Sequence, residues 1–171
     1  AVKQAVADGM TNFSLLTANK TMPMAYEAMK DSADAFLYPG HVDAVMGTRS
    51  GEAMLKEGVS GVVAGFTAKE LLTAFAVILV KFPQGKPFFK NCYPRVVKDE
   101  GSPAAQALIK EVMEPCDSEW RGLGVIPQSG LQLRPAFAVC DARKKYNVPA
   151  MEGRANPACR CGDILQGKCT P

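Results

Sequence analysis

Apolar and polar residues alternate in blocks along the first hundred residues, and the blocks are of two kinds. Short apolar runs predict β-strands, and each is followed by a segment with the apolar spacing of a helix. The predicted strands are 13–16, 35–38 and 61–66. The predicted helices start after Thr21, span 42–46 and run from 68 to about 81. This order predicts a parallel sheet with right-handed crossovers. We expect the third strand to be interior and the third helix to be buried on several sides, because both are apolar nearly throughout.

The second half of the chain has a different pattern. Helices are predicted from 102 to about 113 and from 134 to 146, with a glycine-rich loop around a short strand between them. In the first of these helices the inward positions are Ala105, Leu108, Ile109 and Val112. We therefore predict an α/β fold, a small parallel sheet with flanking helices in a Rossmann-like lobe, followed by a helical and loop-rich cysteine region. The predicted lobe is 1–146, with βα units to residue 90, and the predicted cysteine tail is 147–171.

Composition excludes several classes of protein. With 47% hydrophobic and 22% charged residues, the chain can bury an ordinary core. The net charge is only +3 and the basic residues are dispersed, which argues against nucleic-acid binding. The longest apolar run, 71–80, is about half of what a bilayer span requires, so no membrane insertion is expected. The widely spaced Cys92, Cys116 and Cys140 are typical of small buried hydrophobic residues in a reducing cytoplasm.

The remaining three cysteines, Cys159, Cys161 and Cys169, lie close together among glycine, proline and charged residues. Thiolates at such short spacing suit a soft metal, an iron–sulfur cluster or redox exchange. A C-x-C pair closes an internal disulfide only with strain, whereas both sulfurs can reach one cluster from a turn. Three thiolates are one fewer than a closed four-ligand site requires.

Other candidate residues lie at predicted turns. His41 is the single histidine, placed where a strand ends and a helix begins, and it is either a cap or turn hydrogen-bonding residue or a ligand contact and proton shuttle. Ligands of parallel sheets bind at the carboxyl ends of the strands, here the loops 17–21, 39–42 and 66–68. Trp120 and Arg121 form either a structural corner or an anchor for a partner protein.

Several segments together resemble the HypD family, the iron–sulfur proteins of [NiFe]-hydrogenase maturation. Residues 34–42 resemble D-x-F-L-x-P-G-H-V, and 62–66 are similar to the start of V-V-A-G-F-E-P. Residues 91–101 resemble N-Q-Y-x-R-x-V-x-x-x-G-N, and 117–130 resemble D-x-E-W-R-G-L-G-x-I-x-x-S-G. Residues 160–167 are similar to R-C-G-E-V-L-x-G. The segments occur in the family's order and cover nearly the whole chain.

The resemblance implies a maturation scaffold rather than a conventional enzyme. HypD-like proteins assemble the Fe(CN)2CO unit together with a small HypC-like partner, and accept cyanide through a HypE-like partner. They have two α/β lobes and a [4Fe-4S] cluster near the C-terminus. By this resemblance the chain corresponds to the second lobe and the beginning of the cluster region, with Cys161 and Cys169 as partial cluster ligands and Cys159 as their neighbour or substitute. The cluster's ligand set is then incomplete.

The chain also departs from the family pattern. The C-G-G-H-T and G-C-P-V-C motifs are absent, Thr67 stands in place of the family's glutamate, and Glu70 stands in place of an aspartate. Arg154 occupies about the place of a further cysteine. We therefore expect a truncated or divergent module with reduced chemistry. The sequence leaves open whether a separate chain supplies the missing half.

Two other hypotheses remain open. One is a small-molecule-binding or redox enzyme that uses the strand-end pocket near His41, Thr67 and Glu70. The other is an α/β fragment whose thiols bind nothing.

Overall fold

The computed structural model describes residues 1–147, 149, 153 and 156–170. The helices are α1 (Val2–Ala7), α2 (Met22–Met29), α3 (Gly40–Met46), α4 (Arg49–Lys56), α5 (Ala68–Lys81), α6 (Pro103–Val112), α7 (Ala142–Tyr146) and α8 (Cys161–Leu165). The strands are β1 (Ala35–Pro39), β2 (Ser60–Ala64), β3 (Phe89–Asn91), β4 (Met113–Trp120) and β5 (Gly124–Leu133). Short 3₁₀ helices span Lys30–Ser32, Phe82–Gln84 and Pro135–Cys140.

The chain forms two compact units, one of Tyr26–Ala107 and one that combines Ala1–Ala25 with Leu108–Pro171. The first unit contains a parallel sheet in the order β1-β2-β3, and the second contains an antiparallel β4-β5 hairpin. The α/β class with a small, helix-flanked parallel sheet is thus confirmed. The division predicted at residue 146 stays a prediction.

Strand β2 is the centre of the first unit, as its apolar sequence predicted. All of its residues are buried, and Val62 and Val63 are completely inaccessible to solvent. One face of the sheet packs against α5, where Val62, Ala64 and Ala74 form the core. On the other face Tyr38 contacts the Tyr26 ring edge-on at 4.8 Å.

One predicted strand of the parallel sheet was wrong, and one observed strand was not predicted. The run 13–16 is not a strand, because only Leu15 pairs, through a single isolated bridge to Asp141. Both residues belong to the second unit and not to the unit with the parallel sheet. The third strand is instead β3, which pairs with β2 in parallel register. Its three residues include the exposed Lys90, so the segment is too short and too polar to stand out in the sequence.

Helix α5 has the predicted bounds but not the predicted burial. Within it only Ala74 is fully buried, whereas Leu79 is 73% exposed and Leu72 is 67% exposed. This nearly all-apolar helix therefore covers the sheet with one side, and the apolar side chains on its other side are exposed to solvent.

Helix α4 was not predicted, because Gly51 and Glu52 in its sequence suggested a connection. Its position is set by close packing of the backbone. A Cβ on Gly51 would overlap the Phe89 ring, so the helix can approach the sheet only with glycine at this position.

The second unit is built on the β4-β5 hairpin, which the sequence showed only as a loop with a short strand. Two prolines, Pro115 and Pro127, and a register shift between Cys116 and Ser118 interrupt the alternating pattern. The core of this unit combines Ala5, Leu133 and Cys140. Cys140 is 1% exposed, in agreement with its interpretation as a buried apolar residue.

Two predicted helices of the second half differ from prediction in detail. Helix α6 ends at Val112, one residue before its predicted end. Its Leu108, which was predicted to face inward, is 50% exposed. The predicted helix 134–146 is broken at Asp141 into the 3₁₀ helix and α7. At the break, the Leu15 N–H donates to Cys140 O (2.7 Å) and the Ala142 N–H donates to Leu15 O (3.0 Å), so the extended segment around Leu15 takes the place of helical hydrogen bonds.

Asp43, in the first turn of α3, is buried with only 4% exposure, and burial raises its pKa to about 6. Since the folded pKa lies above the ordinary value of 3.8, the wild type should lose stability as the pH rises from about 4 to beyond 6. We expect Asp43→Asn to remove this loss and to raise the free energy of unfolding at pH 8 by about 1–2 kcal/mol. Urea unfolding of both proteins at pH 4.5 and pH 8 measures the free energy of unfolding and its change with pH.

The matched control for this experiment is Asp31→Asn, which changes an exposed carboxylate in the same unit. It should leave the pH dependence of unfolding as in the wild type. Equal pH profiles for wild type and Asp43→Asn would show that the Asp43 carboxylate is not destabilised by burial.

Candidate functional site

The carboxyl ends of β1 and β2 meet the loop after β3 at one edge of the parallel sheet. Gly40 marks the meeting point, because a Cβ there would lie 2.5 Å from both Ala64 O and Tyr93 Cδ1. The predicted strand-end loops 39–42 and 66–68 therefore lie together. The third predicted loop, 17–21, follows no strand and belongs to the other compact unit.

His41 is exposed at the start of α3, and its ring lies 4.2 Å from the Phe66 ring at an angle of 35°. Phe66 is itself 55% exposed. No side chain caps α3 at its N-terminus, so the interpretation of His41 as a capping residue is not what the structure shows. The stacked rings instead join the ends of two neighbouring strands. The role of His41 as a ligand contact or proton shuttle stays a prediction.

Thr67 and Glu70 form a capping box at the start of α5. The Thr67 hydroxyl accepts from the Glu70 backbone N–H (3.3 Å), and the Glu70 carboxylate accepts from the Thr67 backbone N–H (3.1 Å). Gly65, two residues earlier, leaves room for this arrangement, because a Cβ at that position would push the Glu70 carboxylate from its place. The sequence carried this signal, since T-x-x-E before an apolar run is typical of a helix start.

Glu70 is also paired with Arg95, whose Nη2 lies 2.7 Å from Oε1. The hydrogen bond from Arg95, together with that from the Thr67 backbone, lowers the pKa of Glu70 to about 2. Arg95 in turn lies over the Tyr93 ring, 4.7 Å from its centroid. A carboxylate held in this way is poorly suited to exchange protons near neutral pH. These contacts support a positioning role for Glu70, and its catalytic role stays a prediction.

A cleft of about 440 Å³ lies beside this network and is lined by Thr67, Glu70, Cys92 and Arg95, among others. Cys92 is partly buried against the α5 core, and burial raises the pKa of its thiol. A thiol of raised pKa is a weak nucleophile. The cleft therefore offers the Arg95 guanidinium and hydroxyl groups for binding, but no activated thiolate.

The cysteine segment contains a second candidate site, formed by Cys159 and Cys161. The nearby Cys161 backbone N–H is the main reason that the pKa of Cys159 is lowered, and the neighbouring Cys159 thiol is the main reason that the pKa of Cys161 is raised. The charge of Arg121 lowers the pKa of both thiols. The pair thus favours one thiolate beside one thiol.

The cysteine pair is attached to the turn of the β4-β5 hairpin. Gly122 has a φ of 82°, and a Cβ on it would overlap the backbone of Gly162, the residue after Cys161. The Gln166 side-chain amide donates to Gly122 O. The two glycine-containing segments are separate motifs in the sequence. Their contact depends on the fold, although a glycine in each was a signal of close backbone approach.

Cys169 is partly buried and does not join the pair in a common donor group. The neighbouring Arg160 forms a hydrogen bond with Asp163, which is the main reason that the pKa of Arg160 is raised. No group of three or more histidine, cysteine or acidic side chains is gathered for a metal ion in the part of the chain that the structure describes. The position of Arg154 lies outside the described residues. The assignment of Cys159, Cys161 and Cys169 as metal ligands stays a prediction.

Trp120 and Arg121 have different surroundings. Trp120 is half-buried, its Nε1 donates to Ser129 Oγ at 2.7 Å, and Lys20 Nζ lies 5.6 Å from its ring centroid. These contacts match the structural-corner interpretation. Arg121 is exposed in the turn, and its charge acts on the thiol pair. The role of either residue in partner binding stays a prediction.

The capping box gives a testable prediction. Thr67→Ala removes the side-chain acceptor for the Glu70 N–H and should lower the free energy of unfolding by about 1 kcal/mol. Thr67→Ser keeps the hydroxyl and should match the wild type closely. Urea unfolding followed by circular dichroism measures both variants, and equal losses for both would contradict the capping role.

The Glu70–Arg95 pair gives a prediction on pH dependence. Because the folded pKa of Glu70, about 2, lies below the ordinary 4.5, its contribution to stability is present above pH 4.5 and is lost as the pH falls through about 2. Glu70→Gln should therefore be less stable than the wild type at pH 7, with the difference shrinking toward pH 2. Thermal unfolding of the wild type and of Glu70→Gln across this pH range measures the difference in stability. Glu57→Gln, at an exposed position, is the matched control, and a difference that does not depend on pH would contradict the ion pair.

Among the described residues no helix combines the length and apolar character that crossing a bilayer requires.

Comparison with known proteins gives the family. The family model HypD, described as the hydrogenase formation hypA family, matches residues 1–171. The hydrogenase maturation factor HypD of Rhodobacter capsulatus is 35% identical over 181 residues, covering 100% of this chain and 48% of the relative. HypD of Escherichia coli K12 is 35% identical over 178 residues, covering 99% of this chain and 47% of the relative. The chain spans about half the length of the curated relatives it matches, and it belongs to the HypD family of hydrogenase maturation factors.

Proposed function

We propose that this chain is a scaffold module in the assembly of the Fe(CN)2CO unit of [NiFe]-hydrogenase. The observation that carries the proposal is the close approach of the hairpin turn that bears Arg121 to the cysteine segment, where a Cβ on Gly122 would overlap the Gly162 backbone, in a chain that matches the HypD family along its whole length. The two segments that form this corner, 117–130 and 160–167, both carry motifs that resemble the family.

The side chains of this corner are thiols, the kind of ligand that an iron–sulfur cluster takes, but there are fewer of them than a cluster requires. A [4Fe-4S] cluster takes four thiolates, and among the described cysteines only Cys159 and Cys161 are near neighbours. We propose that this pair, with Cys169 as a further ligand, forms part of a cluster site that is completed from outside the described residues. The Cys161 N–H and the Arg121 charge favour the thiolate that metal binding requires.

The partners follow from the family and from the length of the match. Curated relatives are about twice as long as this chain. We propose that a separate chain supplies the half that carries the C-G-G-H-T and G-C-P-V-C motifs. HypC-like and HypE-like proteins would be the further partners of the assembly, in the cytoplasm. The exposed Arg121, beside the half-buried Trp120, is the proposed contact for a partner.

A second candidate function is a small-molecule-binding or redox enzyme at the strand ends. The cleft of about 440 Å³ beside Arg95 favours binding of an anionic small molecule. Two observations weigh against catalysis there: the pKa of Glu70 is lowered to about 2, and the pKa of the Cys92 thiol is raised by burial. The cysteine corner is therefore the better-supported site.

The test is anaerobic reconstitution of the chain with ferrous iron, sulfide and a small external thiol, which can fill the ligand position that the chain itself does not supply. The scaffold proposal expects broad absorption near ~400 nm from thiolate-bound iron. Cys161→Ser and Cys159→Ser should each abolish this absorption, because each removes one sulfur of the pair. Cys116→Ser is the matched control, since Cys116 is a partly buried cysteine on β4 outside the corner, and it should keep the colour.

Two outcomes would contradict the proposal. Absence of absorption in the wild type would support the alternative of an α/β fragment whose thiols bind nothing. Absorption that Cys161→Ser leaves unchanged would place the iron elsewhere. For the strand-end alternative, Arg95→Gln should weaken binding of an anionic small molecule and leave the absorption as in the wild type.

A further inference from the structure

The turn between β4 and β5 is anchored by contacts within the hairpin itself. Trp120 Nε1 donates to Ser129 Oγ (2.7 Å), and Ser129 Oγ donates to Ile126 O (2.7 Å). The Leu123 N–H donates to Trp120 O (3.0 Å) inside the turn. Because Ser129 is completely buried, water does not compete for its hydrogen bonds. The turn is therefore a firm support for a segment that packs on it.

Helix α8 contacts this turn near both of its ends. At its start, Gly162 lies so close to the turn that a Cβ on it would be 2.7 Å from Gly122 Cα. At its C-terminal end, the Gln166 side-chain amide donates to Gly122 O. Cys161 is the first residue of α8, and Cys159 lies two residues before it. One turn residue thus contacts both ends of the short helix that carries Cys161.

Helix α8 has little else to hold it. It has five residues, fewer than an isolated helix needs to be stable in water, and its second residue is a glycine, which disfavours helix. No side chain caps its N-terminus, and none of its residues is buried. The exposed ion pair between Arg160 Nε and Asp163 Oδ2 (2.7 Å) contributes little. The position of the helix therefore depends mainly on its contacts with the turn.

We propose that Gly122, Gly162 and Gln166 are positioning residues, which hold Cys159 and Cys161 in an arrangement that binds a soft metal ion. The biological use of this positioning rests on the proposed scaffold function, but the positioning itself applies to any ion that binds thiolates. A segment that is ordered before it binds a metal loses less conformational entropy on binding. Glycine is needed on both sides of the contact because a Cβ on either residue would separate the two backbones.

The test measures binding of Cd²⁺ by the full chain through the ultraviolet absorption of its thiolate complex. Cd²⁺ is a soft ion that two thiolates can bind without a cluster. Cys161→Ser identifies the absorption that belongs to the corner. Gly122→Ala places a Cβ in the Gly162 backbone and should weaken binding by at least about tenfold, as expected when a residue that supports metal ligands is changed.

The matched control is Gly124→Ala in the same hairpin. Gly124 has a φ of 77°, close to the 82° of Gly122, but a Cβ on it would meet nothing within 4 Å. The control therefore imposes a similar backbone strain without disturbing the contact with α8. It should bind Cd²⁺ with the affinity of the wild type.

Gln166→Met tests the second attachment, because methionine has a similar length but no N–H donor. Loss of this hydrogen bond should weaken Cd²⁺ binding by about two- to tenfold. Hydrogen exchange at 161–168 should be faster in Gly122→Ala and Gln166→Met than in Gly124→Ala, since the Gln166 N–H donates to Gly162 O (3.1 Å) within the helix. Circular dichroism and urea unfolding show whether each variant is folded.

Three results would overturn the proposal. The first is equal Cd²⁺ affinity in Gly122→Ala and Gly124→Ala. The second is faster exchange in α8 with unchanged Cd²⁺ affinity, which would make the contact purely structural. The third is a wild type that forms no Cd²⁺ complex dependent on Cys161. The scaffold function fails separately, if the wild type binds Cd²⁺ through Cys161 but shows no iron–sulfur absorption after reconstitution.

Discussion

The fold of the first unit depends on the burial of strand β2 between two layers of side chains. Val62 and Val63 are fully buried, and Gly61 allows the Tyr38 ring to lie directly against the strand. Because β2 is the interior strand, its position fixes both neighbours and the edge at which their carboxyl ends meet. The stacked rings of His41 and Phe66 and the capping box at Thr67 follow from that position. The candidate site is thus a consequence of how one apolar strand is packed.

In the second unit, two glycines hold the cysteine segment to the hairpin. Gly122 and Gly162 approach so closely that a side chain on Gly122 would overlap the Gly162 backbone. This contact brings Arg121 near the thiols of Cys159 and Cys161, and it links two segments more than thirty residues apart in the sequence. The electrostatic environment of the thiol pair therefore depends on backbone packing as well as on the cysteines themselves. The chemistry proposed for this family member would be sensitive to changes in the hairpin turn.

The errors about strands share a physical cause, which is that a strand needs a neighbour. The apolar run 13–16 looked like a strand but pairs only at Leu15, whereas the short polar β3 is a strand because β2 offers it a free edge. The helix predicted over 134–146 breaks at Asp141 because the segment around Leu15 hydrogen-bonds there. Helix α5 was predicted with its bounds intact, since its cap and its apolar length are local properties. The exposure of the apolar side chains of α5 was not predicted, since exposure depends on which other elements cover the helix and the sheet.

The sequence by itself determined the α/β class, the interior strand, the limits of α5 and the resemblance to HypD, because these depend on local spacing and on strings of residues. It also predicted chemistry at the cysteines and the strand-end loops, and that stays a prediction. Only the tertiary structure decided which residues meet: Glu70 with Arg95, and the hairpin turn with the cysteine segment. It also decided that one side of α5 is left open. The reason is that contacts between distant residues depend on strand pairing and backbone approach, which no local pattern encodes.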